Sequence, residues 1–161
     1  MEEKLLAASV SIPAHLKTDQ FTFVVLGPSV GDEDYEAVMS SRNRLRQVFN
    51  ENDRWPEDSM TFESNIKDLV QHEAEYNNRE GFAYAVLSAF NSRYIGCVYL
   101  YPTAVPGFSC EVYLWVRDSE INLDDDLFNQ TKRWLAEAWP FQQCAFPGRE
   151  IAWCDWTGKL I

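Results

Sequence analysis

Histidine is nearly missing from this chain, and so is the glycine that marks a phosphate loop. The 161 residues include two histidines, His15 and His72, and seven glycines, none of which falls between Arg117 and Asp126. His72 opens the stretch His72-Glu73-Ala74-Glu75, but no second histidine stands at helical spacing, so the common histidine metal sites are excluded and a surface position is expected for it. His15 carries no signal. Cys97, Cys110, Cys144 and Cys154 are scattered without CxxC spacing, which excludes the usual zinc and redox signatures and predicts free thiols in a reducing cytoplasm. No apolar run approaches the roughly 18 residues of a membrane helix, and the short mixed segment 5–10 gives no signal-peptide core. Basic residues are scarce too: 14 Lys and Arg against 25 Asp and Glu leave a net charge of −11, which opposes non-specific binding to nucleic acid or anionic membrane. Neutral or cationic partners are expected, and neither a Ser-His-Asp arrangement nor a P-loop is readable.

What is present is apolar periodicity. With 46% hydrophobic residues the chain can build one compact core, expected as a single domain over 1–161 with an N-terminal extension 1–20 and a core 21–156. Residues 21–26 read as a strand stopped by Gly27-Pro28. A helix over 34–49 follows from the spacing of Tyr35, Val38, Met39, Leu45, Val48 and Phe49, then a second from Thr61, a plausible N-cap, along Phe62, Ile66, Leu69, Val70 and Tyr76. Strand-like runs occupy 82–90, 94–101 and 110–117, the first two close enough for a hairpin. The most regular stripe, Leu123, Leu127, Thr131, Trp134, Leu135, Ala138 and Trp139, predicts a helix capped by Asn122 and stopped by Pro140. A last strand is expected over 150–156. The order β-α-α-β-β-β-α-β predicts an α+β or α/β fold with a mixed, mostly antiparallel sheet, helices on both faces, and one right-handed parallel crossover.

That order, taken with Glu111-Val112-Tyr113-Leu114-Trp115-Val116-Arg117 and with Leu127 and Trp134-Leu135, resembles the GNAT superfamily of acyl-CoA-dependent N-acetyltransferases over most of 21–156. The resemblance implies acetyl-CoA as cofactor, its arm along Leu114, Trp115, Val116 and Arg117 and its pyrophosphate near Asn122, Leu123 and Asp124. The family's glycine-bearing pyrophosphate loop is not present; Asp124, Asp125 and Asp126 stand at the helix start instead. A carboxylate about 7 Å from a phosphate charge costs about 0.6 kcal/mol at water-like screening and about 2.4 kcal/mol at an effective dielectric of 20. Three of them rival the helix-pole attraction of up to about 2 kcal/mol.

Two charged residues fall on apolar helix faces. Arg42 lies within the stripe of the first helix and Glu73 within that of the second, so they are expected to pair with each other or to point into a cavity between the helices as substrate-binding groups. Glu73, desolvated there, would serve as a base for an ammonium substrate; an ion pair or a frayed, exposed helix end is the alternative. Glu111 alternates with Tyr113, Trp115 and Arg117 on one strand face and is the second candidate base, with an edge position facing water as its alternative. No metal is expected. Two functions follow: N-acyl transfer from acyl-CoA to a small amine, or a catalytically silent protein of the same fold binding a small molecule or a protein partner, with a homodimer left open.

Overall fold

The computed structural model describes residues 4–159. One sheet of six strands in the order β1-β2-β3-β4-β5-β6 organises them: β1 His15–Lys17, β2 Phe21–Val25, β3 Phe82–Ser88, β4 Tyr94–Tyr101, β5 Cys110–Val116 and β6 Cys144–Ala145. All neighbours run antiparallel except β5 and β6, which run parallel and pair at only two positions, Cys110 with Cys144 and Glu111 with Ala145. Beyond Glu111 the two segments part. A mixed, mostly antiparallel sheet with a parallel crossover is as expected from the sequence, but the crossover returns at Cys144–Ala145, ahead of the expected 150–156, and β1 was not among the expected strands.

Period-two alternation assigns the strands two buried faces. Phe82, Tyr84 and Val86 of β3 with Val112, Leu114 and Val116 of β5 meet Leu127, Trp134 and Leu135 of α4, the helix Asp124–Ala138. Ala83, Ala85, Cys97, Tyr99, Tyr113 and Trp115 look the other way, toward α1 Gly31–Ser40, α2 Arg42–Leu45 and α3 Phe62–Asn78. The small Ala83 and Ala85 let those helices lie close. β3 and β4 slip register between Val86 and Leu87, and the neighbouring Gly96 is needed because a Cβ there would meet the Trp115 carbonyl oxygen at 1.9 Å.

Helix α3 starts as the sequence predicts. Thr61 accepts from the Ser64 amide at 3.1 Å and Ser64 returns the bond to the Thr61 amide at 3.1 Å. Three expectations are corrected. The helix over 34–49 is broken: Ser41, fully buried, leaves helical geometry to accept the Asp118 amide at 2.8 Å, dividing α1 from α2. Asn122 does not cap α4, because a 3-10 turn over Asp118–Leu123 delivers the chain and Leu123 takes the cap position without a side-chain bond. The strand expected over 150–156 is instead a helix, α5 Trp153–Lys159. Its reason is a spacing of three, not two: Trp153 packs on the Gly148 turn and Trp156 is buried beside Val105 and Ala145, while Cys154 between them is exposed.

Leu127 is fully buried between α4 and the sheet. Its replacement by Ala is expected to lower the unfolding free energy by about 3 kcal/mol, measured by urea denaturation.

Candidate functional site

Where α3 lies across the ends of β4 and β5, the packing leaves a cavity of about 540 Å³. Its lining combines five aromatic rings, Phe49, Trp55, Tyr99, Tyr101 and Tyr113, with the carboxyl groups of Asp34, Asp68, Glu75 and Glu111 and with His72. Helical spacing accounts for most of the α3 contribution: Asn65, Asp68, His72 and Glu75 succeed one another at intervals of three and four on one face, with Leu69 beside Asp68. The rings are mutually braced. Phe49 meets Tyr99, Tyr113 and Trp55 at centroid distances of 4.9, 5.3 and 5.4 Å, and Tyr99 stacks on Tyr101 at 6.1 Å. The indole N–H of Trp115 donates to the Tyr99 hydroxyl at 2.9 Å, fixing that ring from beneath.

Asp34 forms the floor, 3% exposed. Its carboxylate accepts from the Tyr94 hydroxyl at 2.5 Å and from the Asn65 amide at 2.8 Å. Burial nevertheless pushes the carboxyl above its ordinary range. Burial likewise depresses His72, and the nearby Asp68 and Asp34 offset this only in part, so the imidazole is neutral at pH 7. Its Nδ1 is enclosed without a hydrogen-bond partner, and its ring lies 5.5 Å from that of Tyr99. A neutral imidazole in a carboxylate-lined cavity is chemically a proton acceptor for an ammonium ligand.

The candidates from sequence fall in different places. Glu111 lines the cavity and accepts from the Tyr113 hydroxyl at 2.7 Å. Glu73 does not line it; its carboxylate lies over Gly27, where a Cβ would meet it at 2.3 Å. The expected pairing of Arg42 with Glu73 is corrected as well: Arg42 bonds Asp58 at 2.9 Å and the Met39 carbonyl at 2.7 Å, with its side chain 41% exposed. The helix break at Ser41 turns Arg42 off the stripe that an unbroken helix would have given it. His72, expected on the surface, is half-buried and is among the residues that the sequence reading missed. Its signal was its place four residues after Asp68 and three after Leu69, on the face that lines the cavity.

A second, smaller cleft of about 220 Å³ lies where β5 and the segment after β6 part. Arg44 of α2, Val48, Leu114 and the turn Pro147-Gly148-Arg149 line it, and Tyr113 lines both this cleft and the larger cavity. Of the expected cofactor residues Leu114, Trp115, Val116 and Arg117, only Leu114 lines this cleft; Trp115 is wholly buried, and the carbonyls of Leu114 and Val116 are engaged. Arg149 donates to the Leu114 carbonyl at 3.2 Å and Arg44 donates to that of Val116. Arg149 also grips the Asp124 carboxylate at 2.7 and 2.8 Å, and Arg44 grips Asp118 at 2.6 Å. Arg117 is turned away, 7% exposed, with its guanidinium on Glu36 at 2.6 Å, Ser119 at 3.0 Å and the Tyr94 carbonyl at 3.4 Å.

The depressed His72 has a stability consequence whose sign is fixed. Between the ordinary histidine pKa near 6.5 and the lower folded value, the unfolded chain binds the extra proton, so stability falls as pH drops through that window. Urea unfolding at pH 7.5, 6.5 and 5.5 is expected to show a shallower loss for His72→Gln than for the parent protein.

No protein-family model and no curated protein matches the sequence. Solved structures do resemble it. A ribosomal-protein-S5-alanine acetyltransferase from Vibrio fischeri superposes with a TM-score of 0.59 at 17% identity, over 78% of this chain and 69% of that one. The microcin C7 self-immunity acetyltransferase MccE, solved with acetyl-CoA and AMP, gives 0.59 at 12% identity over 78% and 67%. FdhC, a nucleotide-linked sugar GNAT, gives 0.51 at 11% over 78% and 66%. The chain spans about two thirds of these proteins' lengths. These superpositions, together with its own six-stranded, mostly antiparallel sheet with helices on both faces, show that this chain has the GNAT fold.

Proposed function

We propose that this protein is a GNAT-type N-acyltransferase, moving an acyl group from acetyl-CoA to the amine of a small cationic molecule. The observation that carries the reading is the sharing of Tyr113: an acidic, aromatic cavity suited to an ammonium and a cleft along the β5 edge meet at one side chain. Such a junction is what transfer between two bound reactants requires.

The cleft can be tested for fit to the cofactor. Its backbone offers little, since the Leu114 and Val116 carbonyls and the Asp118 amide already have partners. Its side chains offer more: the guanidiniums of Arg44 and Arg149 suit phosphate, and they flank the start of α4, whose dipole has the same preference. The residues fit through arginine in place of a glycine loop. When bound, acetyl-CoA supplies the activated thioester. The protein's own part is then to hold the ammonium against Asp68, Glu75 and Glu111, to exclude water with the ring cluster, and to accept a proton on His72 or on Glu111, directly or through a water. No paired nucleophile and base lines either cavity, which favours direct attack by the amine.

A second reading is favoured by the same two arginines. With both strand carbonyls capped from within, a silent protein of this fold would keep the cation cavity and leave the β5 edge closed. Calorimetric titration separates the two. Binding of acetyl-CoA at micromolar concentration supports transfer, and no binding at millimolar concentration in low salt, with retained binding of amines, supports the silent form.

Given turnover, Glu111→Gln and His72→Gln are expected to lower kcat by about 10²-fold with KM changed less. Glu73→Gln, outside the lining, is expected to leave both within about twofold. Steady-state kinetics across a set of primary amines checks this, and a reversed ranking of Glu73 and Glu111 would move the base to the Gly27 side of α3.

A further inference from the structure

The two arginines of the cleft are each held in the same unusual way. Arg149 spans from the Leu114 carbonyl to the Asp124 carboxylate, and Arg44 spans from the Val116 carbonyl to the Asp118 carboxylate. The carbonyls are alternate positions on one strand, and the carboxylates sit at the two ends of one 3-10 turn, Asp118 opening it and Asp124 following it. In a chain of net charge −11, this places two cations and two removable anions around the N-terminal pole of the 15-residue helix α4.

We infer that Arg44 and Arg149 are phosphate ligands kept in reserve: the pyrophosphate of an acyl-CoA displaces Asp118 and Asp124 from them. This rests on the acyl-CoA reading above. Each arginine is reachable, with side-chain exposures of 34% for Arg44 and 26% for Arg149, and their partners Asp118 and Asp124 are 48% and 22% exposed. A released carboxylate therefore regains water at small cost, and each guanidinium exchanges its carboxylate, bidentate on Arg149 and singly bonded on Arg44, for an anion of higher charge. The exchange also removes a carboxylate from the α4 pole, where phosphate would otherwise meet it. Arg117 has no such freedom, being buried on Glu36. The acidic helix start thus acts as a placeholder that keeps the arginines ordered until the ligand arrives.

The inference makes a prediction of opposite signs, read as binding of coenzyme A by calorimetry. Arg149→Gln and Arg44→Gln are expected to weaken it by about tenfold or more, whereas Asp124→Asn is expected to tighten it by about threefold or more, because a competitor is lost while the arginine stays. Thermal melting of each variant establishes that it is folded, and Asp124→Asn keeps the test decisive if an arginine variant is not. Coenzyme A binding that is unchanged in the arginine variants would overturn the clamp and leave acyl transfer standing. Weakened binding in Asp124→Asn would also overturn it, since the carboxylate would then be a support, not a competitor. No binding by the parent protein or by the Asp118→Asn, Asp124→Asn double variant at millimolar coenzyme A would remove the clamp and acyl transfer together.

Discussion

Burial of the Asp34 carboxyl is the constraint on which the rest of the site depends. A carboxyl 3% exposed is tolerated only with partners, and those of Asp34 on α1 come from two other elements: Asn65 on α3 and Tyr94 on β4. Cys97 adds a sulfur at 3.7 Å. The arrangement pins α1 and α3 at a fixed height above the sheet, and the gap that remains between α3 and the strand ends is the cavity.

Strand β5 then divides the labour between its two faces. Val112, Leu114 and Val116 are spent on the α4 core, while Tyr113 and Trp115 face the α1–α3 side, where Trp115 orients Tyr99 and Tyr113 separates cavity from cleft. A strand paired on both sides along its whole length could not do this. The parting of β6 after Ala145 frees the outer edge of β5 at Leu114 and Val116, and the arginines fill the hydrogen-bonding capacity so released. The groups that protect this edge are also those proposed to take the phosphate, because a guanidinium satisfies either a carbonyl or a phosphate.

Strands β2 to β5 were legible because their signals are local. Alternation in 110–116, Thr61 as an N-cap and the α4 stripe each follow from a few adjacent residues, whereas β1 and β6, three and two residues long, are too short to carry a pattern. Departures arose where a distant partner decided. Ser41 leaves the helix for an amide 77 positions away in sequence, Arg42 follows that break toward Asp58, and Trp153 packs on Gly148 in a turn that forms only once β6 is placed. The site was legible in part. Glu111 followed from strand alternation, but Glu73 and His72 are adjacent on α3, and a rotation of one residue decides which of them faces the cavity. Arg44 and Arg149 gave no pattern at all, since one belongs to a broken helix and the other to a turn.

The acidity of the chain also acquires a local meaning. Asp58, Asp118 and Asp124 each sit on arginine, so their charges are matched where they stand. Among the described residues, the lining of the larger cavity holds four Asp or Glu and no Lys or Arg. That imbalance is not needed for folding and opposes it, because desolvation already raises Asp34 and Asp68. A cation entering the cavity would relieve it, with each carboxylate about 5 Å away contributing about 3 kcal/mol of attraction at an effective dielectric of 20, before the desolvation of the ligand is subtracted. The same ligand would favour the charged forms of Asp34 and Asp68, opposing the upward shift that burial gives them, which makes charge the first criterion of the cavity in the function proposed above.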